Sequence, residues 1–119
     1  MSFPITVTFR GIEHSEAIDA YVRKKAAKLD RWAGDVQICR VAIEAPHKRH
    51  VQGNRYHVRI SLAVPGDAVF VGRPTPLDAR TEDLYATVDT AFDDAGRCLV
   101  EHTRRLRSSR RDTRQLKSA

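Results

Sequence analysis

The sequence is poor in the features that mark membrane proteins and disulfide-stabilised proteins. No apolar run approaches the roughly 18–20 residues that a membrane-spanning helix needs, and the N-terminus has no basic segment followed by an apolar one. Only two cysteines occur, Cys39 and Cys98, far apart and outside any CxxC motif. We therefore expect a cytoplasmic protein with no membrane partner, and two buried free thiols instead of a disulfide or a zinc site.

Catalytic motifs are also scarce. The 6 glycines are dispersed, and the chain has no Gly-rich phosphate loop, no GxSxG and no HExxH. His47, His50 and His57 lie close together in the sequence, but an HxxH pair without a carboxylate or cysteine at a suitable spacing is a weak metal signal. We expect no enzyme, no cofactor, no metal and no small-molecule substrate. An enzyme that uses these three histidines is an alternative, and it requires a bound metal or a deep polar pocket beside them.

The positive charge is concentrated at one end of the chain, whose 119 residues are enough for one domain. Residues 1–96 contain 13 Lys or Arg and 13 Asp or Glu, whereas residues 97–119 contain 8 basic and 2 acidic side chains. The whole formal charge of +6 therefore lies in this last segment. Such polarity suits a polyanionic partner, because binding to phosphates releases counterions. A solvated basic tail without a partner is the alternative interpretation.

Hydrophobic periodicity predicts the order β-α-β-β-β-α. Alternation of apolar and polar residues predicts strands near residues 5–10, 39–44, 56–64 and 68–71, the last two joined by a turn at Pro65-Gly66-Asp67. Helical spacing predicts helices from about 15 to 33 and from about 82 to at least 105. The fold class is therefore α+β, a four-stranded sheet with both helices packed on one face. Residues 1–107 are predicted to form this domain and residues 108–119 a basic, disordered tail, because the tail has no apolar face.

The first predicted helix sorts its charges by sign. On a helical wheel Lys24, Lys28 and Arg31 share one flank, whereas the acidic residues lie on the opposite one. This arrangement favours docking to an anion, with ordinary solvated surface as the alternative. Lys25 falls within the apolar arc, so its side chain must extend along the sheet edge or into the groove between the helices. Trp32 lies on the same arc and is predicted to pack the helix onto the sheet instead of stacking on a base.

The second predicted helix ends in a cluster of arginines. Arg97 and Arg104 share a flank, and Asp94 and Glu101 lie close to them. Complementarity to the helix dipole accounts for the arginines of the last turn, which are Arg104, Arg105 and Arg107. It does not account for the four basic residues between positions 110 and 117, so this excess favours a polyanionic partner.

Two motifs carry a resemblance to a known family. One is GIEHSEAIDAYVRKKAAKLDRWAGD, residues 11–35, and the other is EDLYATVD, residues 82–89, with the predicted hairpin between them. In this order and spacing they resemble the ribosome hibernation promoting factors, also called ribosome-associated translation inhibitors or sigma-54 modulation proteins. The resemblance extends from about Ile5 to Leu106. The chain lacks the additional C-terminal domain of long members, so it resembles a short form, or a chain that stops in a linker.

The resemblance implies a fold related to double-stranded RNA-binding domains and a function on the ribosome. It implies binding in the mRNA and tRNA channel of the small subunit, where basic residues of both helices contact rRNA phosphates and occlude the decoding region. Lys25, Lys28 and Arg97 match basic positions of the family. Asp94 and Glu101 depart from the family pattern, and the arginines that follow them are expected to replace that contact.

We therefore predict a monomeric, ribosome-binding translation inhibitor of the stress response that inactivates or protects idle ribosomes. Its predicted partners are the small ribosomal subunit and its rRNA. A general RNA-binding or RNA-chaperone module without ribosome preference is the alternative, and it would recognise RNA shape through 2′-hydroxyls and phosphates. The predicted nucleic-acid-binding residues are Lys24, Lys25, Lys28, Arg31, Arg97, Arg104, Arg105 and Arg107.

Overall fold

The computed structural model describes residues 3–31, 36–45, 55–76 and 79–118, and the side chains of Asp30 and of residues 107–118 are outside this description. The predicted element order is confirmed. The strands are β1 (Ile5–Arg10), β2 (Ile38–Glu44), β3 (His57–Val64) and β4 (Asp67–Pro74). The helices are α1 (Glu16–Ala27), which continues as a short 3₁₀ helix (Lys28–Arg31), and α2 (Thr81–Ser118).

The four strands form one sheet in the order β1-β2-β3-β4. β1 and β2 are parallel, and the two following pairs are antiparallel. Parallel neighbours need a crossover, and α1 supplies it between β1 and β2. β3 and β4 are joined by a turn in which Gly66 follows Pro65 and has a φ of 74°, the combination that a type II turn requires.

One face of the sheet is buried under both helices. On β2 and β3 every second residue is buried, as the period of two predicts. These side chains, such as Ile43 and Ile60, pack with Val22 of α1 and with Val88 and Leu99 of α2 in a single hydrophobic core. Within the described ranges, no helix covers the opposite face of the sheet.

The two helices run in the same direction. Asp94 contacts Arg73 near the end of β4, and His102 contacts Asp67 at its start, so α2 runs antiparallel to β4. Arg23 near the end of α1 donates a hydrogen bond to the carbonyl of Ile5 at the start of β1, so α1 runs antiparallel to β1. Because β1 and β4 point the same way in the sheet, the C-terminal halves of both helices lie at the same end of the domain.

The second helix is longer than the sequence predicts. Its backbone is helical through Ser118, whereas an irregular segment is expected from residue 108 onward. The reason is local: no glycine or proline follows Gly96, and Arg, Lys, Gln and Leu are good helix formers, so the helix continues without an apolar face. The division into a domain and a tail at residue 107 stays a prediction.

The first helix is shorter than predicted and tightens into the 3₁₀ turn after Ala27, as helix ends commonly do.

Cys39 is buried, and this burial raises the pKa of its thiol to about 12. The expectation that Cys98 is buried is wrong, because Cys98 lies beside the inward-facing Leu99 and its own side chain points outward. Trp32 lies outside the described residues. Within the described part of the chain, no helix combines the length and the apolar character needed to cross a membrane.

Candidate nucleic-acid interface

The orientation of α1 is determined by its N-cap and its buried side. The Ser15 hydroxyl accepts a hydrogen bond from the Ile18 amide at 3.3 Å, which starts the helix. Ile18, Val22 and Ala26 are buried against the sheet. Residues on the other side of the helix therefore face outward. Their backbone is fixed because the three buried residues hold the helix against the sheet.

The predicted basic flank of α1 is exposed. Lys24, Lys28 and Arg31 are all exposed. Among the described side chains, no carboxylate lies within 4.0 Å of any of the three. A helix of this pitch, ending in a 3₁₀ turn, spreads these residues over about 12 Å along its axis. They form a row of charges that a polyanion can approach without displacing an ion pair among the described side chains, and we call this row the α1 basic row.

Lys25 has a different environment. Its Nζ lies 3.0 Å from Oδ1 of Asp89 on α2 and 5.7 Å from the centre of the Tyr21 ring. The Tyr21 hydroxyl donates to the same Oδ1 at 2.5 Å, and the Tyr21 ring packs edge-on against Tyr85 at 4.8 Å between centroids. Of the two positions predicted for Lys25, the structure shows the groove between the helices.

Titration of this cluster reflects its mutual contacts. Burial raises the pKa of Asp89, but hydrogen bonds from Tyr21 and Lys25 outweigh it and leave the pKa lowered. The hydrogen bond to Asp89 raises the pKa of Tyr21 and also raises the pKa of Lys25. Lys25 therefore stays charged at neutral pH, with its charge balanced locally by Asp89. Its contact with α2 is a structural tie between the helices, which a match to a basic family position does not reveal.

The basic residues of α2 are unequally compensated. Arg97 is exposed, and no described carboxylate lies within 4.0 Å of it. Arg104 and Arg105 are also exposed, but both share Glu101, at 3.8 Å and 3.7 Å. Exposed pairs of this kind are worth little, so the two arginines remain able to exchange Glu101 for a phosphate. The side chain of Arg107 lies outside the described residues.

The family resemblance suggests that Asp94 reduces the positive charge on the outer surface of α2, but the structure places Asp94 elsewhere. Its Oδ2 accepts a hydrogen bond from Nε of Arg73 on β4 at 2.5 Å. This hydrogen bond to Asp94 raises the pKa of Arg73. Asp94 thus faces the edge of the sheet and is neutralised there. The acidic departure that does reach the basic surface of α2 is Glu101.

The structure brings the two basic groups to one end of the domain. The α1 basic row lies in the C-terminal half of α1, and the Arg97–Arg105 segment follows Asp89, the α2 residue that contacts Lys25, on a parallel helix packed against α1. Lys28 is near enough to α2 to help lower the pKa of Asp89.

No group of His, Cys, Asp and Glu side chains within the described ranges could hold a metal ion, and His47 and His50 lie outside those ranges.

A comparison with known proteins decides the family. The sequence profile of the sigma 54 modulation protein / S30EA ribosomal protein family matches residues 5–107. The chain belongs to this family. The match covers the region that the two sequence motifs indicated, from the first strand into the second helix.

This S30EA family chain is similar in sequence to one curated protein and in fold to two solved structures. The chain is 29% identical over 107 residues to the ribosome hibernation promotion factor of Deinococcus radiodurans, covering 88% of this chain and 51% of the relative. The chain thus spans about half the length of the curated relative it matches. The N-terminal domain of Thermus thermophilus Protein Y superposes with a TM-score of 0.63 at 26% identity, covering 86% of this chain and 99% of that domain. A ribosomal subunit interface protein from Coxiella burnetii shares the fold with a TM-score of 0.64 at 18% identity, over 85% and 98% of the two chains.

Proposed function

We propose that this protein binds the small ribosomal subunit through the exposed basic side chains of its two helices and keeps idle ribosomes inactive. Membership of the S30EA family supports a binding protein instead of an enzyme. The relative from Deinococcus radiodurans bears the name of a ribosome hibernation promotion factor, which supports a ribosomal partner. With ribosomes as its partner, the proposed location of the protein is the cytoplasm.

The observation that carries the proposal is the α1 basic row. Lys24, Lys28 and Arg31 are exposed on a helix that is anchored to the sheet, with no described carboxylate within 4.0 Å. Binding of phosphates to such cations is driven by counterion release and requires no rearrangement of the domain. Arg97, Arg104 and Arg105 extend the charge along α2 at the same end of the domain.

The proposed mechanism is occlusion, and it contains no chemical step. Phosphate contacts position a protein on RNA without reading sequence. In the proposal these contacts hold the folded domain in the decoding channel of the small subunit, where its volume excludes mRNA and tRNA. Inhibition of translation then follows from occupancy, and it is reversed when the protein dissociates.

Cosedimentation with purified small subunits at several salt concentrations tests the proposal. The triple variant K24A/K28A/R31A should bind more weakly, and its log–log salt slope should fall by about 3, roughly one for each lost phosphate contact. Lys28→Ala alone should lower the slope by about 1. Arg80→Ala is the matched control, because it removes one exposed cation at the opposite end of the helix layer.

An unchanged salt slope in the triple variant would refute the role of the α1 basic row. Competing duplex RNA separates the proposal from the RNA-chaperone alternative. A ribosome-specific factor should stay on the small subunit when duplex RNA is added in excess, whereas a general RNA-binding module should be removed from it.

A further inference from the structure

The face of the sheet that no described helix covers carries polar, basic and aromatic side chains. Register places Thr6, Arg40, Ser61 and Phe70 in one row across all four strands. In the next row Arg59 lies opposite Gly72. These residues line an open pocket on the side of the sheet away from the helices, and its volume is about 680 Å³. This volume is in the range of clefts that bind small ligands.

Phe70 is the feature that the fold does not explain. Its side chain is 73% exposed, and it is the large hydrophobic residue that stands out as exposed within the described part of the chain. It contributes nothing to the core, which lies on the other face. A Cβ added at Gly72, two residues along the same strand, would meet no atom within 4 Å. The ring therefore stands beside an open floor, where a flat group can lie against it.

The surroundings of Phe70 are basic. Arg59 is its diagonal neighbour across β3 and β4, a spacing of about 7–8 Å, and Arg40 lies two strands away, about 10 Å. Glu44 compensates Arg59 at 2.9 Å and touches Arg10 at 4.0 Å. No described carboxylate lies within 4.0 Å of Arg40. The surface thus has a positive balance around a single aromatic ring.

We propose that this face binds a short single-stranded RNA segment, with one base stacked on Phe70 and the flanking phosphates on Arg40 and Arg59. An unpaired base can stack on an exposed aromatic side chain, which a base inside a duplex cannot do. A protein partner would need more apolar surface than one ring offers. The hydroxyls of Thr6, Thr8 and Ser61 line the same surface and can bond the ribose 2′-hydroxyl, which favours RNA over DNA.

This inference goes beyond the proposed function, because the site lies on the opposite side of the sheet from the α1 basic row. It concerns an unpaired strand, whereas the helices are proposed to contact the phosphates of folded rRNA. Binding to a free oligonucleotide is measured without ribosomes. Failure of one proposal is therefore distinguishable from failure of the other.

Fluorescence anisotropy with a labelled eight-nucleotide oligoadenylate RNA tests the inference. Phe70→Ala should weaken binding by about 5- to 150-fold, the range that corresponds to one lost base–aromatic stack. Phe70→Tyr should bind like the parent protein, because the aromatic face is kept. Arg40→Gln should weaken binding and lower the salt slope by about 1. Arg80→Ala is the control, and it should leave the affinity unchanged.

Folding does not confound this test. Phe70 is exposed, so Phe70→Ala should melt at the temperature of the parent protein. Equal affinity of the parent protein and Phe70→Ala would overturn the inference. Equal loss in Phe70→Tyr and Phe70→Ala would also overturn it, and so would equal affinity for the same sequence as a duplex. Equal affinity for an eight-nucleotide oligodeoxyadenylate, the DNA of the same sequence, would overturn the assignment to RNA.

Discussion

Lys25 of α1 and Asp89 of α2 form an ion pair, with Nζ 3.0 Å from Oδ1. The Tyr21 hydroxyl donates to the same oxygen, so one carboxylate holds two side chains of the neighbouring helix. α1 and α2 are thereby tied together at Lys25, which lies between Lys24 and Lys28 of the α1 basic row. Tyr21, Lys25 and Asp89 thus hold the helices in position, whereas the exposed residues of the α1 basic row form the basic surface.

Replacing Asp89 tests this tie. Asp89→Asn removes the charge that balances Lys25 while keeping the shape of the side chain, and it should lower the free energy of unfolding by about 1 kcal/mol. The side chains of Lys25 and Asp89 are 30% and 43% exposed, so solvent screening limits the effect. Urea unfolding measures it. Glu13→Gln, at an exposed residue that makes no ion pair with a described side chain, is the matched control and should change stability little.

The acid dependence of stability should change in the same variant. The pKa values of Asp89 and Asp19 are lowered in the folded protein, so each contributes stability that is present above the unfolded pKa of about 3.9 and is lost as pH falls through the folded pKa. Asp89→Asn should therefore lose less stability than the parent protein between about pH 5 and pH 2. Parallel curves of unfolding free energy against pH would contradict this.

The two cysteines should differ in reactivity. Cys98 is exposed on α2, whereas Cys39 is buried and its pKa is raised to about 12. A thiol reagent should modify one cysteine in the native protein and both in urea. Cys98→Ser should abolish native labelling. Rapid modification of Cys39 in the native protein would show that the strand β2 is less protected than the structure indicates.

We expect residues 108–119 to increase the affinity for the ribosome without determining where on it the protein binds. Residues 108–119 carry four basic side chains against one acidic one and have no apolar periodicity. The truncated chain 1–107 should therefore still inhibit translation at low salt, with a loss of affinity that grows as salt is added. Inhibition assays at two salt concentrations measure this. Complete loss of inhibition at low salt would favour the RNA-chaperone alternative.

Much of the fold could be predicted from the sequence because burial on one face imposes a strict period. The alternation around Val41 and Ile60 and the helical spacing around Val22 indicate both the elements and the side that each buries. The positive-φ turn at Gly66 follows from the Pro-Gly pair. The end of α2 was less predictable, because a polar helix continues by propensity alone and leaves no hydrophobic pattern.

The site was only partly predictable, because charge on a helical wheel does not identify its partners. The wheel indicates that Lys24, Lys28 and Arg31 share a flank, and their exposure agrees with it. It places Lys25 against α2 or the sheet edge but cannot identify Asp89, which lies more than 60 residues away in the chain. Phe70 sits between two valines in a strand, so its position on the open face emerges only once the register with Ser61 is known.

Site-directed crosslinking of the α1 basic row to rRNA tests the central claim most directly. In a Cys98→Ser background, Lys28→Cys carries a benzophenone on the row, and Arg80→Cys carries it at the other end of the helix layer, while buried Cys39 stays unmodified. Primer extension on small-subunit rRNA then maps the crosslinked nucleotides. The account predicts crosslinks from position 28 to rRNA of the decoding region and few from position 80. Crosslinks of equal yield from both positions, or crosslinks from position 28 that avoid the decoding region, would contradict it.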